Sequence, residues 1–517
     1  MSSVSKSATL IGAAGVVGSG TIVSRITGFA RDVFIAALLG AGPLAEIFVI
    51  AFRLPNLFRH LVSEGAFNAA FLPLFTRRLA RRHEAGRVFA GRVFALMVTA
   101  TGALTLLGIL GMPLLVAMLA FGFLGDPEKF TLAVHYARIA FPYLALMAMV
   151  SVFGAILNAT GRFFAGAFAP VLFNLVLIAA LMLAYLTGGA AIDHLIWGIL
   201  VAGGLQLLWV FAVVRRSGFV LPVMRPRLTP PVRRLLKLAL PVTLAVGVGQ
   251  INLVVGTSIA TLQAGAAVWL YYADRLYQLP VGVVGVALAV ALLADLSRRL
   301  ADNDVKGAAQ SQDRALAIAM LFALPATAGL AVLAEPIIVL LFERGAFTPA
   351  DSLATARALQ AFCVGLPAFI LIKTLQPFFF AREDTRTPLI AVAAGVAVNI
   401  ALALAGFPVF GHLAIALAVS AAGWVMAGYL AVVLAQRGIW RFSWPLLRRL
   451  AGQGVAAVLM GGALVLAARF VPPPASFFGL MVWVAAAVSG GVTVFFAAAF
   501  LCGGAKRGDL KALRGAA

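Results

Sequence analysis

Long apolar stretches, separated by short polar loops, follow one another along the whole chain. Each stretch has about the 20 residues that a helix needs to cross the hydrocarbon core of a bilayer. We therefore predict an all-α polytopic membrane protein with 14 transmembrane helices. The predicted spans are residues 9–39, 44–76, 89–122, 129–158, 163–187, 192–214, 235–262, 266–297, 314–342, 352–381, 387–408, 411–435, 449–470 and 476–502.

The loops between the spans alternate in charge. Arginine and lysine are concentrated in every second loop, for example in 77–87 and 215–234, whereas the loops between them are nearly free of both residues. Loops rich in these residues face the cytoplasm in most membrane proteins. Both termini are therefore predicted to be cytoplasmic, and an error in the number of spans would have to come in pairs.

A short motif occurs twice along the chain, six spans apart. AFRL (51–54) in span 2 matches ADRL (273–276) in span 8. An even offset gives both halves the same orientation, which is the parallel-repeat pattern of some transporter families. We predict two pseudo-symmetric six-helix lobes, then two added helices and a cytoplasmic tail, with the boundaries 1–216, 217–437 and 438–517.

The composition agrees with a membrane protein and excludes a soluble enzyme. The chain is 63% hydrophobic and 11% charged, with a mean hydropathy of +1.04, against about 25% charged residues in average soluble proteins. The net charge of +22 lies mostly in the cytoplasmic loops, and no basic patch alternates with aromatic residues, so nucleic-acid binding is not predicted. Cys363 and Cys502 stand alone. We find no motif for a metal, a cofactor or enzymatic chemistry.

Four arginines interrupt the first two predicted spans. Arg25 and Arg31 are in span 1, and Arg53 and Arg59 are in span 2. A charged side chain near the bilayer centre costs about 2.5–3.5 kcal/mol even on the lenient scale. Either these arginines face a water-filled cavity or they bind an anionic partner. For Arg25 and Arg31, snorkelling of the side chain to an interface is the alternative.

Two residues in these spans are predicted hinges. Gly28 lies between Arg25 and Arg31, where it either breaks or bends the helix or allows close packing against a neighbour. Pro55 removes a backbone donor in span 2 and should bend it. A further bend is predicted at Glu64 and Gly65.

Three polar residues accompany the arginines. Glu46 precedes Arg53 by seven residues on one helix face, so an internal salt bridge between them is one interpretation of this pair. Asn56 is close to Arg59 on the same side of span 2. Asp32 follows Arg31 directly.

The repeat gives span 8 an arginine that corresponds to Arg53. Arg275 has Tyr271 one turn before it and Gln278 one turn after it, and Asp274 is adjacent. The alternative to ligand binding is a structural role, in which Asp274 and Arg275 neutralise charges on other spans. Because the planar guanidinium of arginine binds phosphate in a bidentate manner, several arginines at membrane depth suggest a phosphate or pyrophosphate head group. A lipid with a large anionic head is therefore a natural substrate.

Four segments carry a family resemblance. SRITGFARD (24–32), FRLPNLFRHLVSEGAFNAAFLP (52–73), FPYLALMAMVSVFGAILNATGRFFAGAFAPVLFN (141–174) and YYADRLYQLPVGVVGVAL (271–288) resemble the MurJ (MviN) lipid II flippases of the multidrug/oligosaccharidyl-lipid/polysaccharide exporter superfamily. The resemblance implies a role in peptidoglycan biosynthesis in the bacterial inner membrane. Lipid II, the undecaprenyl-pyrophosphate-linked precursor, would move from the cytoplasmic to the periplasmic leaflet by alternating access.

The resemblance also implies functional residues. Arg25, Arg31, Arg59 and Arg275 match the family's essential cavity arginines, and Glu46 stands where the family has an acidic residue. With the neighbours identified above, the predicted substrate-binding residues are Arg25, Arg31, Asp32, Glu46, Arg53, Asn56, Arg59 and Arg275.

Two other functions remain open from the sequence. The first is a flippase for another polyprenyl-pyrophosphate-linked glycan, since arginines recognise phosphate and not sugars. The second is a non-transporting membrane scaffold of the cell-wall machinery. The expected partners are lipid II, the lipid bilayer, and proteins of cell-wall synthesis and division.

Overall fold

The computed structural model describes residues 3–62 and 66–506. Helices are the regular elements of this part of the chain, and no strand occurs in it. The predicted bend at Glu64 and Gly65 and the end of the C-terminal tail lie outside the described residues.

The chain divides by its packing into two compact units. The first unit is Met1–Gly265 with Arg344–Phe347, and the second is Ala266–Glu343 with Thr348–Ala517. The predicted lobe boundary after residue 216 rests on a sequence repeat, whereas this division rests on packing. The two lobes therefore stay a prediction.

Ten helices belong to the first unit as described. They are α1 Ser3–Leu39, α2 Pro43–Val62, α3 Ala66–Arg81, α4 His83–Leu110, α5 Met112–Leu119, α6 Pro127–Ala140, α7 Tyr143–Ala159, α8 Phe164–Thr187, α9 Ala191–Arg216 and α10 Pro230–Ala260.

A further ten helices belong to the described part of the second unit. They are α11 Ala266–Pro280, α12 Val286–Ala301, α13 Val305–Val332, α14 Ala334–Phe342, α15 Pro349–Cys363, α16 Leu366–Phe380, α17 Arg386–Phe410, α18 His412–Gln436, α19 Trp444–Phe470 and α20 Phe477–Leu501. A π-helical turn, Val281–Gly285, joins α11 to α12.

The helices confirm the predicted fold class. In the described chain, 10 helical stretches are long and apolar enough to cross a membrane, and they coincide with predicted spans 3–6 and 9–14. The other four predicted spans coincide with α1, with α2 and α3, with α10, and with α11 and α12. The protein is a multi-pass membrane protein, and the count of fourteen spans stays a prediction.

Aromatic residues fill the core of the first unit. Phe71 and Phe75 on α3 are fully buried and stack on each other with ring centroids 5.1 Å apart, and Phe71 also stacks on Phe89 of α4 at 5.7 Å. Further along α4, Gly108 lies against the ring of Phe141, which is also fully buried. This packing holds α4 close to α3 and to the start of α7.

A segment distant in sequence completes the first unit. The backbone N–H of Ala346 donates a hydrogen bond to the carbonyl of Ala37 at 2.8 Å. Gly345 has a φ of +60°, and a Cβ added there would lie 2.2 Å from the same carbonyl oxygen. Both the backbone conformation and the close approach therefore require glycine at position 345.

Side chains of the second unit fix its last two helices to α13. Asp313 of α13 accepts hydrogen bonds from the Trp440 indole at 2.7 Å and from the Ser443 hydroxyl at 2.6 Å. The amide of Gln453, which is fully buried in α19, donates to the carbonyls of Ala317 and Gly504. The two added helices are thus part of the packed second unit.

The close packing at Gly108 leads to a stability prediction. In Gly108→Ala, the new Cβ would lie 2.1 Å from the Phe141 ring, and we expect a loss of about 1–3 kcal/mol because the buried ring must shift. Thermal unfolding of the purified protein in detergent measures this loss.

Gly102 supplies the matched control on the same helix. A Cβ added at Gly102 has no neighbour within 4 Å, so Gly102→Ala should be neutral or slightly stabilising, as alanine favours helix. Equal unfolding temperatures for the two variants would contradict the packing argument.

Candidate functional site

Arg31 of α1 is a guanidinium buried inside the first unit. Arg31 is only 5% exposed, and the adjacent Asp32 is 2% exposed. Nη2 and Nε of Arg31 donate to Oδ1 of Asp32 at 2.6 and 3.1 Å, and Nη1 donates to Oδ1 of Asn174 at 3.0 Å. The rings of Phe52 and Phe173 lie 5.9 Å from the guanidinium carbon. The cation therefore has a carboxylate, an amide and two aromatic neighbours.

Asn174 connects α8 to α1 at the position of this arginine. Its oxygen accepts from Arg31, and its Nδ2 donates to the Ser24 carbonyl at 3.0 Å and to the Thr27 hydroxyl at 3.2 Å. One buried amide thus binds three residues of α1. The site prediction did not include Asn174, although a looser sequence match between 161–174 and 385–399 pairs it with Asn399, which is also buried.

Gly28 packs against the same amide. A Cβ added at Gly28 would lie 3.2 Å from Nδ2 of Asn174, and α1 continues without interruption from Ser3 to Leu39. The expected break at Gly28 is absent, because the glycine serves the close approach of α1 and α8. Its role as a hinge stays a prediction. Pro55 lies inside α2, which also continues through it.

Three further arginines lie on α1 and α2 in different environments. Arg25 is exposed on the surface of its unit. Arg53 donates a hydrogen bond to the Thr257 hydroxyl on α10, and Arg59 donates from Nε to Oδ1 of Asn56 at 3.1 Å. The predicted proximity of Asn56 and Arg59 is confirmed.

Glu46 has a different partner from the one that helix spacing suggested. It is 1% exposed and forms a salt bridge with Lys129 at the start of α6. Its Oε1 also accepts the backbone N–H of Gly265 at 2.9 Å. The interpretation that Glu46 forms a salt bridge with Arg53 is therefore wrong, because Lys129, 83 residues away, pairs with the carboxylate. In this conformation Glu46 connects the start of α2 to the start of α6 and to the backbone of Gly265. It contacts none of the predicted arginines.

Arg275 is the predicted site residue of the second unit. It is exposed, its Nη2 donates to the Tyr271 hydroxyl at 2.9 Å, and its guanidinium carbon lies 4.9 Å from the centre of that ring. Gln278 donates to the carboxylate of Asp274. The tyrosine therefore orients the guanidinium group of Arg275.

The first unit can present several guanidinium groups to an anion. An arginine stays charged at any working pH and offers a planar set of donors that matches phosphate. Among the described residues, no group of three or more His, Cys, Asp or Glu side chains is arranged to hold a metal ion. The chemistry that this arrangement supports is binding of an anion.

Fold and charged residues together define a class of protein. A solved MATE-family transporter of the MOP superfamily in an inward-facing conformation superposes with a TM-score of 0.69, covering 80% of this chain and 95% of that one at 17% identity. The chain thus has the fold of that transporter. Residues 35–485 match the family described as Lipid II flippase MurJ, and the chain belongs to that family.

Individual relatives agree with this assignment. The chain is 44% identical over 498 residues to a probable lipid II flippase MurJ of Rhizobium meliloti (strain 1021), covering 95% of this chain and 93% of that protein. It is 34% identical to a lipid II flippase MurJ of Burkholderia cenocepacia, covering 90% and 88%. A solved lipid II flippase MurJ in an inward closed conformation superposes with a TM-score of 0.78 at 25% identity, covering 94% of this chain and 98% of that one.

The hydrogen bonds of Asn174 lead to a second stability prediction. Asn174→Ala leaves buried groups around Arg31 without their partner, and we expect a loss of about 1–3 kcal/mol. The thermal unfolding temperature in detergent should fall accordingly.

Asn158 provides the comparison. It is exposed on α7 and makes no side-chain hydrogen bond with the residues that the structure describes, so Asn158→Ala should unfold as the wild type does. If Asn174→Ala has the unfolding temperature of the wild type, α1 and α8 are held together by apolar packing alone.

Proposed function

We propose that this chain is a lipid II flippase, which moves the pyrophosphate-linked head group from the cytoplasmic to the periplasmic leaflet by alternating access. The observation that carries this proposal is the set of four arginines on two apolar helices, one of them, Arg31, only 5% exposed. Membership of a family whose curated members are described as lipid II flippases supports the same substrate. The polyprenyl tail would stay in the bilayer while the arginines receive the phosphates.

Asp32 has a definite role in this proposal. It neutralises Arg31 when no ligand is present, because an uncompensated charge at this depth is costly. An incoming pyrophosphate offers more oxygen acceptors than one carboxylate, so it would compete with Asp32 for the guanidinium. The pair would re-form when the head group leaves, which makes binding reversible.

The remaining predicted site residues fit two supporting roles. Arg25 and Arg275 are exposed on their own units and would contact phosphate directly. Arg53, Asn56 and Arg59 would orient the head group through hydrogen bonds. Glu46, buried against Lys129, would stabilise the fold of the first unit and would not contact the head group. The lobes 1–216 and 217–437 would be the parts that alternate, with 438–517 fixed to the second.

We also propose that the protein lies in the bacterial inner membrane with both termini in the cytoplasm. The alternation of arginine-rich and arginine-poor loops supports this orientation. Proteins of cell-wall synthesis and division, which consume lipid II, are the partners expected nearby.

Arg25 provides the functional test that is least affected by folding. It is exposed and has no hydrogen bond or ion pair with another described residue, so Arg25→Ala should fold normally. Loss of one charge-assisted contact to phosphate corresponds to roughly a tenfold to hundredfold loss of affinity. In cells depleted of the wild type, we expect lipid II at the outer face to fall, and Arg25→Ala not to restore it.

The control for this test is Arg469→Ala, which removes an exposed arginine from the last turn of α19. At equal membrane abundance it should restore outer-face lipid II fully. If depletion leaves outer-face lipid II unchanged, the substrate assignment is wrong. If Arg25→Ala restores it as the wild type does, the arginines do not bind the head group.

The two cysteines test the orientation without added residues. Cys502 is exposed just after α20, and Cys363 is buried in α15. A membrane-impermeant maleimide should therefore label the protein in inverted vesicles and not in intact cells, and Cys502→Ser should abolish the labelling. Labelling in intact cells would reverse the proposed orientation.

A further inference from the structure

A lysine within the second unit has no role in the site described so far. Lys373 is the only ionisable residue among the 15 of α16, all of which the structure describes. It lies seven residues before the helix ends at Phe380, which is about 10 Å at 1.5 Å per residue. That distance exceeds the reach of a four-carbon side chain, so snorkelling to the helix end does not explain the lysine.

The ammonium group of Lys373 has no neutralising partner among the described residues. Lys373 is half-buried and makes no hydrogen bond or ion pair with any residue that the structure describes. The neighbouring Thr374 is fully buried, with its carbonyl accepting from Gln312 of α13. An unpaired charge inside a membrane-spanning helix is costly and usually marks a binding site or a transport path.

The lysine side chain packs against the π-helical turn Val281–Gly285. A Cβ added at Gly285 would lie 3.2 Å from Cγ of Lys373, so the glycine leaves space for the lysine stem. Such turns are rare and occur frequently at functional sites. This turn continues directly from α11, the helix that carries Arg275. Ten residues separate Arg275 from Gly285, which is roughly 15 Å along a helix.

The same turn borders an apolar groove of the second unit. The groove has a volume of about 350 Å³. Its lining residues come from α11, the π-helical turn and α13, and they are Leu276, Leu279, Pro280, Val284, Ala326 and Leu330. An unpaired cation and an apolar groove at one turn are the two features that a lipid with an anionic head requires.

We infer that Lys373 is a further phosphate-binding residue, which receives the head of a polyprenyl pyrophosphate on the cytoplasmic side of Arg275. The inference rests on the proposed function and its orientation, in which α12 and α16 both end at cytoplasmic loops. The head group would meet Lys373 before it reaches Arg275. A lysine suits this step because it binds phosphate as a point charge, without the fixed bidentate geometry of arginine.

Binding of farnesyl pyrophosphate to the purified full-length protein tests the inference. The charge-removing variant is Lys373→Met, which keeps the length of the side chain. We expect its dissociation constant to rise about tenfold or more, whereas Lys373→Arg should stay close to the wild type. The matched control is Lys306→Met, which removes an exposed lysine from the first turn of α13 and should bind as the wild type does. Farnesol, which lacks the phosphates, should not distinguish the variants.

The outcomes separate this inference from the proposed function. If Arg25→Ala weakens binding and a folded Lys373→Met does not, Lys373 is not a phosphate contact and the proposed function stands. If the wild type binds farnesyl pyrophosphate no better than farnesol, both are wrong. If depletion leaves outer-face lipid II unchanged while Lys373→Met still weakens binding, Lys373 keeps its role and the substrate is another polyprenyl pyrophosphate.

Chemical restoration of the charge provides a second test should Lys373→Met not fold. Lys373→Cys is prepared with Cys502→Ser, so that the buried Cys363 is the only native thiol left. Attachment of an aminoethyl group to the introduced thiol through a disulfide should restore binding, and attachment of a sulfonatoethyl group should not. Equal binding after both reagents would overturn the inference.

Discussion

The structure depends on the compensation of charge inside apolar helices, and the pair of Arg31 and Asp32 is its clearest case. Two adjacent residues carry opposite charges into the packed first unit, where either alone would be strongly destabilising. Asn174 then joins this pair to α8. The relative position of α1 and α8 is therefore fixed by the same groups that hold the arginine. Binding chemistry and packing cannot be altered independently at this point of the molecule.

Hydropathy alone predicted most of the fold, and local spacing predicted only part of the site. The apolar stretches coincide with helices throughout, and the neighbours Asn56 and Arg59 are indeed bonded, because one turn of helix brings them together. Glu46 failed the same reasoning. Its partner Lys129 comes from another helix, and a helix-period argument considers only residues on one helix.

Contacts between distant helices could not be predicted from the sequence pattern. Asn174 is 143 residues from Arg31, and an asparagine in an apolar span gives no indication of which helix it faces. Gly28 had two interpretations because glycine serves both bending and close packing; the close approach to Asn174 of α8 is observed, and the hinge stays a prediction. Lys373 was missed for another reason, since it lies outside the segments that carry the family resemblance. Its place as the single charge of α16 was a signal in the sequence that could have been used.

The first unit is discontinuous in sequence, and this affects how the protein is made. The contact between Ala346 and Ala37 cannot form when residue 265 has been synthesised, because residue 346 does not yet exist. About 80 further residues must be translated first, which at roughly 5–20 residues per second takes about 4–16 s. During that interval the early helices are in the membrane without their last segment. A nascent chain therefore passes through a stage at which the first unit lacks its last segment and the contact between Ala346 and Ala37.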